Sequence, residues 1–140
     1  MTEAAPRTDG DQVALTLTLS SEPAFVGPIE ALVARLGDYA GCAPDASKRL
    51  GQAVRRTLGL LIARARATTS PQLEVACAAN ERVVRIDLRL ARGAEPPEPP
   101  FEDLLTADGA GLQKLVDRIE IVREDGRSCC RITQQVRAGR

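Results

Sequence analysis

The chain holds 140 residues, with 19 Lys+Arg balanced by 19 Asp+Glu, 44% apolar and 27% charged residues. That is one domain's length with the balance of a globular protein, able to bury a single core. It has no histidine, no Trp and 2% aromatics. This excludes His-dependent nucleophilic sites, His-based zinc sites and a phosphohistidine relay, and argues against a base-stacking surface for single-stranded nucleic acid.

Residues 1–11 are polar and acidic and read as a flexible leader without a basic-then-apolar signal pattern. No run nears the roughly 20 apolar residues of a membrane span, so a cytoplasmic location is expected. Val13 to Leu19 alternates, with Val13, Leu15, Leu17 and Leu19 on one face, and predicts a half-buried strand. Ser20-Ser21-Glu22-Pro23 opens a helix to about Tyr39 with Val26, Ile29, Leu32, Val33 and Leu36 as its apolar stripe. After a break at Gly41–Asp45, a second helix runs from Pro44 or Asp45 to Ala67. It carries Leu50, Val54, Leu58, Leu61 and Ala65 at helical spacing, beside Arg49, Arg55, Arg56, Arg64 and Arg66.

Gln72–Ala78 and Arg82–Leu90 read as a hairpin about Ala79-Asn80-Glu81. Ala91–Pro100 is Pro-rich, and Phe101–Asp108 is a loop. A short helix starts near Gly109–Gly111 and runs to about Asp117, followed by strands at Ile119–Arg123 and Cys129–Val136. The expected class is α/β (α+β): a two-layer sandwich with a mixed, mostly antiparallel sheet covered on one face by about three helices. Residues 12–137 form its single domain and 138–140 a tail.

The four cysteines, Cys42, Cys77, Cys129 and Cys130, form no CxxC pair. They read as reduced, buried small residues, so no metal site is expected. The alternation of the last strand sends one of Cys129 and Cys130 to the core and the other outward, with a redox role as the sharper alternative.

This order of elements, with Ser21-x-Pro23-x-Phe25-Val26, Leu50-Gly-Gln-Ala-Val54, Gly109-Ala-Gly-Leu112 and Leu115-Val116-Asp117, resembles the anti-sigma-factor serine kinases of the histidine-kinase-like (GHKL) ATPase superfamily. The resemblance covers roughly residues 13–136. It implies a nucleotide site whose second long helix supplies a Glu, an Asn and often a His at spacings of four. At those positions this sequence has Arg56, Leu60 and Arg64. A guanidinium is no base at neutral pH and repels magnesium, and leucine has no oxygen to ligate it. The family's adenine-binding Asp-x-Gly falls on Leu90–Gly93, or on Arg89–Ala91 without an insertion, and neither register has a carboxylate; nearby Asp87 reads as a solvent-face strand residue. Gly109 and Gly111 match the family's phosphate loop as a vestige, although glycines before a helix are also ordinary punctuation.

The resemblance therefore implies a catalytically inactive, pseudokinase-like regulatory module, with no catalytic residues, no cofactor and ATP binding lost. It would act in bacterial partner-switching or two-component signalling, with a sigma factor or STAS-type regulator as partner and a homodimer as its expected form. One alternative is an active ATP-dependent kinase that phosphorylates a STAS-type antagonist, with Asp87, Glu95 or Asp108 substituting for the missing groups. Another is a magnesium-free anion or nucleotide site on Arg56 and Arg64. The plainer reading of the arginines is a solvated face paired with Glu102 and Asp103. The prolines 96, 97, 99 and 100 read as a shortened lid remnant, or as a polyproline docking peptide.

Overall fold

The computed structural model describes residues 2–3, 13–20, 22–66, 72–80, 82–90, 110–124 and 127–136. Six strands are found among them: β1 (Thr2–Glu3), β2 (Val13–Ser20), β3 (Gln72–Ala79), β4 (Val83–Leu90), β5 (Arg118–Glu124) and β6 (Arg127–Gln135). They form one open sheet in the order β1-β2-β3-β4-β6-β5. A 3-10 turn at Pro23–Phe25 leads into α1 (Val26–Ala40), and α2 spans Pro44–Arg66. A four-residue α3 (Ala110–Gln113) precedes β5.

Period-two alternation sorts the strands into two faces. One face carries the row Leu17, Val75, Leu88, Cys130 and Ile121, and beside it the row Leu15, Cys77, Ile86, Ile132 and Ile119. These side chains join Ile29 and Val33 of α1 and Leu50, Val54, Leu58 and Leu61 of α2 in one core. The protein is thus an α+β two-layer structure with its helices on one face of the sheet. Among the described residues no aromatic is buried in this core.

The two long helices approach each other closely through glycines. A methyl group on Gly37 would lie 2.8 Å from Ser47 Oγ, and one on Gly51 would lie 3.1 Å from the Glu30 carbonyl oxygen. Gly41 ends α1 at φ 109°, a left-handed conformation that favours glycine. The amide of Cys42 donates to the Gly37 carbonyl at 2.9 Å and that of Gly41 to the Asp38 carbonyl at 3.1 Å. This pair of bonds satisfies the last carbonyls and turns the chain directly into α2.

Several sequence expectations change. Among the described residues the sheet is not mixed, since each strand pairing is antiparallel. Among the described residues, two long helices cover the sheet, and the short α3 precedes β5. The helix expected to reach Asp117 ends at Gln113, and the chain continues in tight turns in which Leu115 N–H donates to the Leu112 carbonyl at 3.1 Å. The backbone at Asp117 is held instead by β6: its amide donates to Gln134 Oε1, and its Oδ2 accepts from the Gln135 amide at 2.8 Å. Within the leader, Thr2 and Glu3 pair with Leu17 and Thr16; the other leader residues and the 138–140 tail lie outside the described residues.

Candidate functional site

The 23-residue α2 is the element on which the functional expectation turns. Its buried positions repeat at three and four residues, from Leu50 through Val54, Leu58 and Leu61, so the remaining positions form flanks and an outer face. Arg49 and Arg56, seven residues apart, share one flank and are both exposed. Leu60 follows on that flank, half-buried and packed against the core. Arg56 is engaged in an interaction of its own. The helix backbone extends through Arg64, whose side chain lies outside the described set, as do Gly109, Glu95, Asp108, Glu102, Asp103, Gly93 and the prolines 96–100. Gly111 sits in α3, half-buried, directly before the fully buried Leu112. The sequence-predicted residues are therefore placed in part: Arg56 and Leu60 share a flank, and Gly111 opens the segment that leads to β5.

At the other end of α2 lies a cleft of about 250 Å³, lined by Cys42, Ala43, Ala46, Arg49, Asp117, Gln134 and Gln135. It was not anticipated from the sequence. Its one sequence signal is Gln134, which follows Cys130 and Ile132 on the core face of β6 and yet is only 6% exposed. The side chain of Gln134 is occupied in the lock with Asp117 and Gln135, its amide nitrogen lying 3.4 Å from the Gln135 carbonyl oxygen. Burial, then the charges of Asp38 and Asp117, push the Cys42 thiol up from its ordinary value. A thiol so placed stays protonated at neutral pH and is a poor nucleophile.

Of the three carboxylates considered as substitutes, Asp87, Glu95 and Asp108, only Asp87 lies among the described residues. It does lie on the face opposite Ile86 and Leu88, but it is not a solvated residue as expected, being only 4% exposed. Arg131, its cross-strand partner, donates from Nε to Oδ1 at 2.9 Å and from Nη2 to Oδ2 at 3.2 Å. Arg85 Nε lies 3.8 Å away. A carboxylate gripped in this two-pronged way is held in place, which suits a structural anchor better than a proton acceptor. Its row continues to Glu120 on β5, and the neighbouring row pairs Glu74 with Arg89 at 3.4 Å. The face of the sheet opposite α1 and α2 thus carries two cross-strand ion pairs, Asp87–Arg131 and Glu74–Arg89.

All four cysteines are free and buried. The expectation of one inward and one outward thiol at Cys129 and Cys130 is corrected: both are fully buried, and only Cys130 belongs to the helix-side core. Among the described residues no three His, Cys, Asp or Glu side chains are grouped to hold a metal ion. No helix among them is long and apolar enough to cross a membrane. No model of a known protein family matches this chain, and no curated protein is found similar to it.

Proposed function

We propose that this chain is a regulatory protein-binding module on a histidine-kinase-like ATPase framework whose phosphotransfer chemistry has been lost. The observation that carries the reading is the flank of α2, where an exposed arginine and a core-packed leucine, Arg56 and Leu60, occupy the positions of the resembled family's acid and magnesium ligand. Neither can be converted by a rotamer change into a base or an oxygen ligand. The one considered carboxylate with a described position, Asp87, is committed to Arg131. The order of helices and strands supports the framework. On this reading the vestigial phosphate loop at Gly109 and Gly111 has no phosphate to hold, and the module acts through its surface in partner-switching or two-component signalling, on a sigma factor or a STAS-type regulator.

A pull-down with purified sigma factors and STAS-domain proteins in EDTA tests this. Capture of one class without nucleotide is expected. Failure to retain either class at tens of micromolar would overturn the partner assignment.

The pairing of Arg49 and Arg56 on one flank favours a second reading, in which that flank takes a magnesium-free anion. A thermal-shift series with nucleotides separates the two. Stabilisation by ATP in EDTA supports the anion site, and no shift at millimolar ATP removes it.

A further inference from the structure

The register of the sheet sets two arginines on either side of one threonine. On the face opposite α1 and α2, one row runs Ala14, Ala78, Arg85, Thr133 and Arg118 across five neighbouring strands. Two strand spacings put the backbones of Arg85 and Arg118 about 10 Å apart, a gap that two long side chains can close over Thr133. The adjoining row carries Asp87, Arg131 and Glu120 on the same three strands. Arg85 Nε lies 3.8 Å from Asp87 and Arg118 Nη2 lies 3.3 Å from Glu120, so both arginines lean to either side of Arg131. They stay open to solvent, with side chains 50% and 69% exposed.

On these two rows three arginines face two carboxylates, and Asp87 is already held by Arg131 through two hydrogen bonds. Exposed ion pairs contribute about 0–1 kcal/mol, little enough for an incoming anion to displace. Beside Arg85 the same face opens into a cavity of about 220 Å³ lined by Ala78, Ala79, Asn80, Val83 and Arg85. Its rim is fixed, because Asn80 Oδ1 accepts from the Arg82 and Val83 amides at 2.7 and 2.9 Å. A cavity of about 150 Å³ is enough for a benzene ring. We propose that Arg85, Thr133 and Arg118 form a site for a phosphate monoester whose compact aromatic group lies in the cavity beside Arg85. Such an ester carries a charge of about −1.5 to −2 at neutral pH and three acceptor oxygens. Two guanidinium forks and a hydroxyl match it in charge and in donors, whereas a carboxylate satisfies only one fork. The site lies across the core from α2, so it is separate from the Arg49–Arg56 flank. It rests on register, charge and the cavity, and is independent of the partner reading.

Calorimetric titration in EDTA with phenyl phosphate, inorganic phosphate and phenol tests the proposal. Phenyl phosphate is expected to bind at least about tenfold more tightly than inorganic phosphate, through burial of its ring, and phenol not at all. Arg85→Gln and Arg118→Gln should each weaken phenyl phosphate at least about tenfold, through loss of a charge-assisted hydrogen bond. Because both side chains are at least half exposed, circular dichroism should show these variants folded. Ala78→Leu fills the cavity and should remove the preference for the phenyl ester. A phosphotyrosine peptide that displaces phenyl phosphate identifies a phosphorylated protein as the source of the ester, and one that does not leaves a free ester as the source; the same arginines serve both. No binding of phenyl phosphate at millimolar concentration overturns the proposal. So does binding indifferent to Arg85→Gln and Arg118→Gln, equal binding of phenyl and inorganic phosphate, or binding lost in Arg56→Gln, which would put the anion on α2.

Discussion

The Asp87–Arg131 pair sits on the sheet face opposite α1 and α2 with little access to water, its side chains 6% and 17% exposed. Removing the cation alone would strand a buried carboxylate, which typically costs about 3–5 kcal/mol, whereas replacing both partners with apolar residues is often neutral. Arg131→Met should therefore lower unfolding free energy by several kcal/mol in urea titrations, and Asp87→Leu/Arg131→Met should recover most of the loss. Equal losses in the single and double variants would contradict an anchor role. The thiols give a second test. Burial, followed by the charge of Asp87, pushes Cys77 up to about 12. Cys130 also reaches about 12, through burial first and then its neighbours Cys129 and Asp87, against a hydrogen bond from Thr57 that lowers it.

An unfolded thiol titrates near about 8.5. The folded state therefore binds more protons between that value and about 12. Stability should be unaffected by these groups below pH about 8 and should fall as pH rises beyond about 9. Urea midpoints from pH 7 to 10.5 check the sign, and Cys77→Ala/Cys130→Ala should flatten the alkaline slope even though its midpoint is lower throughout. An alkaline slope unchanged in that variant would contradict the assignment.

At the scale of elements, the close approach of α1 and α2 makes glycines unequal. Gly37→Val drives a branched side chain into Ser47, where even a methyl would stand 2.8 Å from Oγ and 3.3 Å from Cα. Overpacking of this kind costs about 1–3 kcal/mol. Gly59, also within α2, meets nothing within 4 Å. Gly59→Ala should instead stabilise by about 0.5–1 kcal/mol, the usual gain on replacing a helical glycine. Melting curves of the two variants should move in opposite directions. The strands and helices were legible because their periods are clean: the leucines of β2 alternate, and Leu50, Val54, Leu58 and Leu61 keep one face of α2. The end of α3 was not legible, because Leu112, Leu115 and Val116 continue a helical spacing. What stops the helix is Asp117 bonding to Gln134 and Gln135, residues far along the chain. The burial of Asp87 was hidden for the same reason, since its partner Arg131 is 44 residues away. The cleft by Arg49 likewise assembles from three separate segments.

At the scale of the whole molecule, a neutral total charge conceals a strict division of labour. One sheet face is an aliphatic core under α1 and α2, the other carries the ion pairs Asp87–Arg131 and Glu74–Arg89, and the flank of α2 presents Arg49, Arg56 and Leu60. On the proposed reading, the positions that would handle magnesium and a proton carry residues unable to do so.

The most direct measurement is a calorimetric titration of the captured sigma factor or STAS protein into this chain, once in EDTA and once in Mg-ATP with labelled γ-phosphate. The account predicts the same affinity in both, with no label on either protein. Binding that requires Mg-ATP, or label transferred to the partner, would contradict it.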